Sequence, residues 1–299
     1  MKVYFAGMEK YDFSTLAKMA GVRSALFTCF GYICGQFNIK WYSGESKPKP
    51  GLPNYLENNF ERVIMDSGLF TLMFGSASKT TPRTSVFLDA WQDALVAFVQ
   101  KESYNGIIVE VDCQKILGVA QAWVMRERLA QQLSNQIINV VHLEDGIAGL
   151  DRLIEYSNYI AISIPELRFN KVPNLQEYVK RQCAYIRNKK PEIKIHLLGC
   201  TELTILAGCK DLASSSDSTS WQCINRYGTM KNRLGVVKTR LMSRKEVETQ
   251  TLIIAPKIEA ELQRLRISSM PKDPLYLCNY YFAMLEALHT YTKYAGSQK

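Results

Sequence analysis

Three aspartates far apart in the chain, Asp66, Asp112 and Asp217, each close a short run of strand-forming or small residues and stand just before a turn. Carboxylates brought together suit chemistry in which one is a nucleophile and another moves a proton. Like charges held close push one pKa upward and so separate the two roles. Glycosidic chemistry uses such a pair, because an oxocarbenium-like centre is stabilised by a nearby anion and can be captured by it. The class this licenses is glycosyl transfer or hydrolysis, with metal-assisted chemistry through the same aspartates as an open alternative. Taken singly, each aspartate is more readily a helix cap than a catalyst; their joint placement carries the reading.

For the three to meet, the runs that carry them must end on one face. Strand-like runs fall at 2–6, 24–29, 62–66, 106–112, 136–142, 158–163, 194–199 and 211–217, the last weakened by its serines. Between them, 86–100, 120–133, 175–188 and the shorter 202–208 place apolar groups at helical spacing. Strands alternating with helices imply βαβ units and a parallel sheet, and eight of them suffice to close a (β/α)8 TIM barrel. An open doubly wound sheet is the alternative, but Ala6-Gly7-Met8 offers no Gly-rich phosphate turn after the first strand. In a barrel the strand ends share one face, and besides the aspartates they deliver His142, Ser163 and Gly199. The barrel is expected over 1–222. Over 223–299 a basic segment and C-terminal helices, 245–264 and 275–294, should pack on it as one unit, with a break or kink at Pro256. Residues 30–59, rich in Gly, Pro, Tyr and Lys, read as an irregular loop, either a tolerated insertion or a lid.

The composition agrees with a globular chain: 299 residues, 47% hydrophobic and 22% charged, which excludes disordered and collagen-like classes. Eight scattered cysteines form no CxxC pair, so reduced thiols are the expectation. No stretch approaches a membrane span, and the start of the chain lacks the apolar run of a secretory signal, so a cytoplasmic location is expected. The formal net charge is +9. Much of it lies after the last strand, where Arg226, Lys231, Arg233, Lys238 and Arg240 occur with no acidic residue between them. Beside a pocket mouth such a run would hold phosphates while Trp221 and Tyr227 stack on bases.

The stretch Val63-Ile64-Met65-Asp66-Ser67-Gly68-Leu69-Phe70 resembles the hydrophobic-DSGxF signature of the tRNA-guanine transglycosylase superfamily. Val111-Asp112-Cys113 falls where that family has a base-recognising aspartate, and His196-Leu197-Leu198-Gly199-Cys200-Thr201-Glu202 resembles its LxG-turn-helix. The opening Val3-Tyr4-Phe5-Ala6-Gly7 and the approach to Asp217-Ser218-Thr219-Ser220-Trp221 look closer to the DNA-deazaguanine transglycosylases of phages and bacteria. The resemblance implies that Asp217 attacks C1′ and that Asp66 is the general acid/base. It implies that Asp112 reads the guanine edge, and that Ser67, Gly68, Phe70, Ser163 and Gly199 shape the base slot. His142 stands where the tRNA enzymes have a base-contacting glutamine, and reads equally as a satisfied rim histidine. The implied partners are DNA and a 7-deazaguanine base such as 7-cyano-7-deazaguanine, with a homodimer left open and no membrane. No cofactor is implied. The family's zinc is expected to be absent, since only Cys223, Cys278 and His289 remain in that region. Exchange on tRNA, a non-catalytic nucleic-acid-binding barrel and a glycoside hydrolase are the alternatives.

Overall fold

Eight short parallel strands hydrogen-bond side by side and close on themselves: β1 (Lys2–Ala6), β2 (Ser24–Thr28), β3 (Arg62–Asp66), β4 (Ile107–Val109), β5 (Ile137–Val141), β6 (Tyr159–Ser163), β7 (Lys194–Leu198) and β8 (Ser215–Ser218). The ring shuts where β1 pairs with β8, with Tyr4 opposite Asp217. This computed structural model describes residues 1–37, 39, 51–74, 81–227, 229–232, 235–238, 244–265 and 274–296. The chain is a (β/α)8 TIM barrel with further helices at its C-terminal end.

Buried on both faces, the strands read as near-continuous apolar runs. Tyr4, Leu26, Ile64, Ile138, Val140, Tyr159 and Ala161 belong to one cluster, while larger clusters pack the strands against the outer helices. Those helices follow their strands in order, among them Tyr11–Met19, Ser85–Glu102, Val119–Gln132, Gly146–Tyr156, Leu175–Lys189 and Leu203–Cys209. The last helix, Pro274–Ala295, packs against the helices that follow β1 and β7. It therefore fills the gap an eighth barrel helix would occupy, and its apolar residues join the largest core cluster. Among the described residues no helix is long and apolar enough to cross a membrane.

Three expectations need correction, and the basic stretch holds a ladder that the sequence did not announce. Residues 30–59 are not an irregular loop throughout. Helices Phe30–Ile33 and Leu52–Asn59 form because Phe30, Ile33, Leu52 and Leu56 are buried, with Pro53 in the first turn of the second helix. Residues 38 and 40–50 of this stretch, to which the lid reading also applies, lie outside the described residues. The helix Arg244–Arg264 runs on through Pro256, carried by the burial of Ile258 and Leu262 in the core. The basic stretch contains a two-stranded antiparallel ladder of β9 (Thr229–Asn232) and β10 (Gly235–Lys238). Finally, β4 and β8 are shorter than their sequence runs.

The shortening of β4 has a visible cause. Glu110, just past its end, turns its carboxylate onto Arg126, with Nε to Oε2 at 2.8 Å and a terminal guanidinium nitrogen to Oε1 at 2.7 Å. The same carboxylate accepts the Val140 N–H at 2.8 Å, so a side chain continues the strand pairing toward β5. Both partners are buried. Removing one member of a buried pair strands the other charge, at a cost of about 3–5 kcal/mol. Arg126→Met should lose about that much in chemical denaturation, and adding Glu110→Gln should recover part of it. A loss under about 1 kcal/mol for Arg126→Met would show the pair to be incidental.

Candidate active site

Asp66 is the last residue of β3, and its Oδ2 accepts the Gly68 N–H at 3.0 Å. The tight turn beyond it depends on glycine. Gly68 has φ +78°, and a Cβ there would meet the Phe30 Cβ at 2.8 Å. Across the barrel mouth, Asp217 is buried near the end of β8. Its Oδ1 accepts the Gly199 N–H at 2.8 Å and lies 3.0 Å from His196 Nε2. Gly199 also has a positive φ, +66°, where a Cβ would collide with Pro165 at 2.7 Å. Asp112 lies three residues past β4, with Oδ2 2.8 Å from His142 Nε2.

All three aspartates line one inner cavity of about 310 Å³, which also exposes Glu9, Thr28 and Ser218. An outer cavity of about 250 Å³ adjoins it and takes in Lys115, His142, Glu166 and Phe169. Phe70, Asp112, Ser163 and Pro165 line both. Every ionisable residue lining the inner cavity is an acid. Among the described residues the one metal-competent group of three donors within 4.8 Å of one another is His142, Glu144 and Glu166. The three aspartates do not form such a group.

The acids differ in their environments. Burial, with Asp112 and Asp217 nearby, raises Asp66 from 3.8 to about 7, although the Gly68 N–H and the Thr28 hydroxyl oppose the shift. Burial also raises Glu9, whose Oε1 accepts the Thr28 N–H at 2.9 Å. Burial alone would lower His142, but hydrogen bonds to Asp112 and Glu166 outweigh it and lift the ring from 6.5 to about 10. Glu166 is lowered: burial opposes its charge, and His142 more than compensates. A cationic imidazole thus sits between two acids, with Nε2 on Asp112 and Nδ1 3.1 Å from Glu166 Oε2.

Of the residues the sequence singled out, Asp66, Asp112, Asp217, Phe70, Ser163 and Gly199 converge on the inner cavity. Ser67 and Gly68 line neither cavity; the Ser67 carbonyl accepts the Trp91 indole N–H at 2.9 Å, and Gly68 packs on Phe30. They build the turn that carries Asp66. His142 has a carboxylate within 3.1 Å of each ring nitrogen, which favours the rim-histidine reading over a free base contact. Trp221 is fully buried against Phe5, Phe13 and Tyr280 and cannot stack on a base. In the basic run, Arg226 lies in the helix Trp221–Tyr227, Lys231 in β9 and Lys238 in β10. Arg233 and Arg240 lie outside the described residues.

Sequence reasoning missed Glu9, Thr28, His196 and Glu166. Reading strand ends only from the third strand onward passed over the first two, whose ends supply Glu9 and Thr28. His196 had a signal too: it alternates with Leu198, which faces the inner cavity.

Because the folded state holds a proton on Asp66 more tightly than the unfolded chain does, that contribution to stability is complete below pH 3.8 and is lost as pH rises through about 7. The melting temperature of the native protein relative to Asp66→Asn should fall over that interval. A difference independent of pH would show that no proton is held there. The sequence matches no protein-family model and no curated protein, so this geometry carries the functional argument.

Proposed function

We propose that the protein exchanges guanine in DNA for a 7-deazaguanine derivative through a covalent aspartyl-glycosyl intermediate. The observation that carries this reading is a cavity in which three aspartates from three strand ends face one space with no basic side chain in its lining. Such a lining suits a transition state in which positive charge develops on the sugar. Cavities that take small-molecule-sized groups begin at roughly 300 Å³, and the inner one, about 310 Å³, is of that size.

The roles divide by environment. Gly199 and His196 occupy Oδ1 of Asp217, which leaves Oδ2 to attack C1′ as the bond from C1′ to the base nitrogen breaks. Asp66, raised to about 7, can hold a proton at neutral pH and donate it to the departing guanine. As a carboxylate it then takes the proton from the incoming base, whose nitrogen attacks C1′ and frees Asp217. Asp112, kept in place by His142, accepts hydrogen bonds from the ring N–H and exocyclic amine of a guanine-like edge. A base must leave the stack to enter. Phe70, 51% exposed at the shared wall of both cavities, offers a face for it.

DNA as the polymer is supported by the net charge of +9 and by the basic run that follows β8. Incubation with labelled guanine should put label into DNA and leave tRNA unlabelled; label in tRNA alone reverses the choice of polymer. Asp217→Ala should abolish exchange and any protein–DNA adduct while DNA binding persists. Full exchange in that variant would sink the covalent mechanism. Separately, DNA affinity should drop by about 10-fold or more between 50 and 200 mM salt if several phosphates are held. A flat response would remove the basic run from the interface.

A further inference from the structure

We propose that His196 is a positioning residue for Asp217, held by Ser215 and Tyr159 as a neutral imidazole that donates its Nε2–H to Oδ1. This rests on the transglycosylase reading and adds to it a group that the family resemblance did not assign.

His196 is fully buried within β7. Its Nδ1 is 2.7 Å from Ser215 Oγ, and Ser215 Oγ is 2.5 Å from the Tyr159 hydroxyl. Tyr4 and Tyr159 set their rings edge-on to the imidazole at centroid distances of 6.1 and 6.2 Å. The groups facing it are thus Tyr4 from β1, Tyr159 from β6, and Ser215 and Asp217 from β8.

Counting protons sets the direction of this chain. The Tyr159 phenol stays protonated, since burial opposes its ionisation, and it donates to Ser215. Ser215 then gives its own proton to Nδ1, which must accept. The ring hydrogen of a neutral imidazole is left on Nε2, pointing at Asp217. The opposite order would aim a bare nitrogen lone pair at a carboxylate and leave one of the two buried hydroxyl protons, that of Ser215 or that of Tyr159, without an acceptor.

The consequence falls on the second half of the reaction. In the covalent ester Oδ1 is the carbonyl oxygen, still held by two N–H groups. When the incoming base attacks C1′, the bond from C1′ to Oδ2 breaks and its electron pair returns to the carboxylate. Donors already aimed at Oδ1 stabilise that returning charge.

The test has a spectroscopic and a kinetic arm. Imidazole nitrogen NMR of the full-length protein at neutral pH should show His196 neutral with its proton on Nε2. A proton on Nδ1, or an imidazolium, overturns the proposal. In single-turnover experiments with DNA, His196→Leu should lower turnover by roughly 10²-fold while the protein–DNA ester accumulates. His196→Gln, which keeps an N–H donor, should restore most of the rate. Adduct and turnover falling in parallel, or Gln performing no better than Leu, would leave only a packing role. Ser215→Ala offers a milder variant should either substitution fail to fold: it removes the donor to Nδ1 but not the carboxylate at Nε2, so it should slow ester release by less than His196→Leu, and release at the native rate would count against the chain. If the native protein yields neither exchange nor ester, the transglycosylase reading fails and the catalytic part of this one with it, whereas the NMR spectrum alone decides the hydrogen-bond chain.

Discussion

Carboxylates repel one another most strongly where water is scarce, and this barrel gathers four of them, Glu9, Asp66, Asp112 and Asp217, around one cavity without an arginine or lysine in its lining. Much of the surrounding structure answers that constraint. Asp217 is held by the Gly199 N–H and His196, Asp112 by His142, Asp66 by the Gly68 N–H, and Glu9 by the Thr28 N–H. Backbone amides and imidazoles do this without filling the cavity. What they leave unbalanced is relieved by a proton on Asp66.

The same constraint explains the two glycines with positive φ beside the aspartates. An amide can point at a carboxylate two residues away only if the chain reverses sharply, as at Gly68. The second amide, that of Gly199, reaches Asp217 from the neighbouring strand end. Both glycines also sit hard against a neighbour, Phe30 or Pro165. Side chains are therefore excluded at these positions by the fold itself, before any ligand is considered.

How much of this was legible in the sequence follows from what each element depends on. Strands such as Arg62–Asp66 and Lys194–Leu198 announce themselves because β-branched and apolar runs must be buried, and the residues at their ends, Asp66 and Gly199, come with them. β8 is weak in sequence because Ser215 and Ser216 carry little strand preference; their burial is explained by small size, and for Ser215 also by its bonds to His196 and Tyr159. β4 stops early through Glu110 and Arg126, a pairing sixteen residues apart that no local pattern encodes. The helix through Pro256 survives because tertiary burial of Ile258 and Leu262 outweighs a local breaker. A partner of the site such as Glu166 becomes visible only once the barrel has brought distant strand ends together.

Two indole rings tie the rim of the cavity to the layer outside it. Trp91, on the helix Ser85–Glu102, grips the Ser67 carbonyl beside Asp66, and Trp221 grips the Ala6 carbonyl at the end of β1 at 2.8 Å. Both rings are fully buried. The position of either helix is thereby tied to the segments that carry Asp66 and Glu9. Repacking around these two rings, which line neither cavity, is a route by which the spacing of the acids can be retuned while the acids themselves stay unchanged.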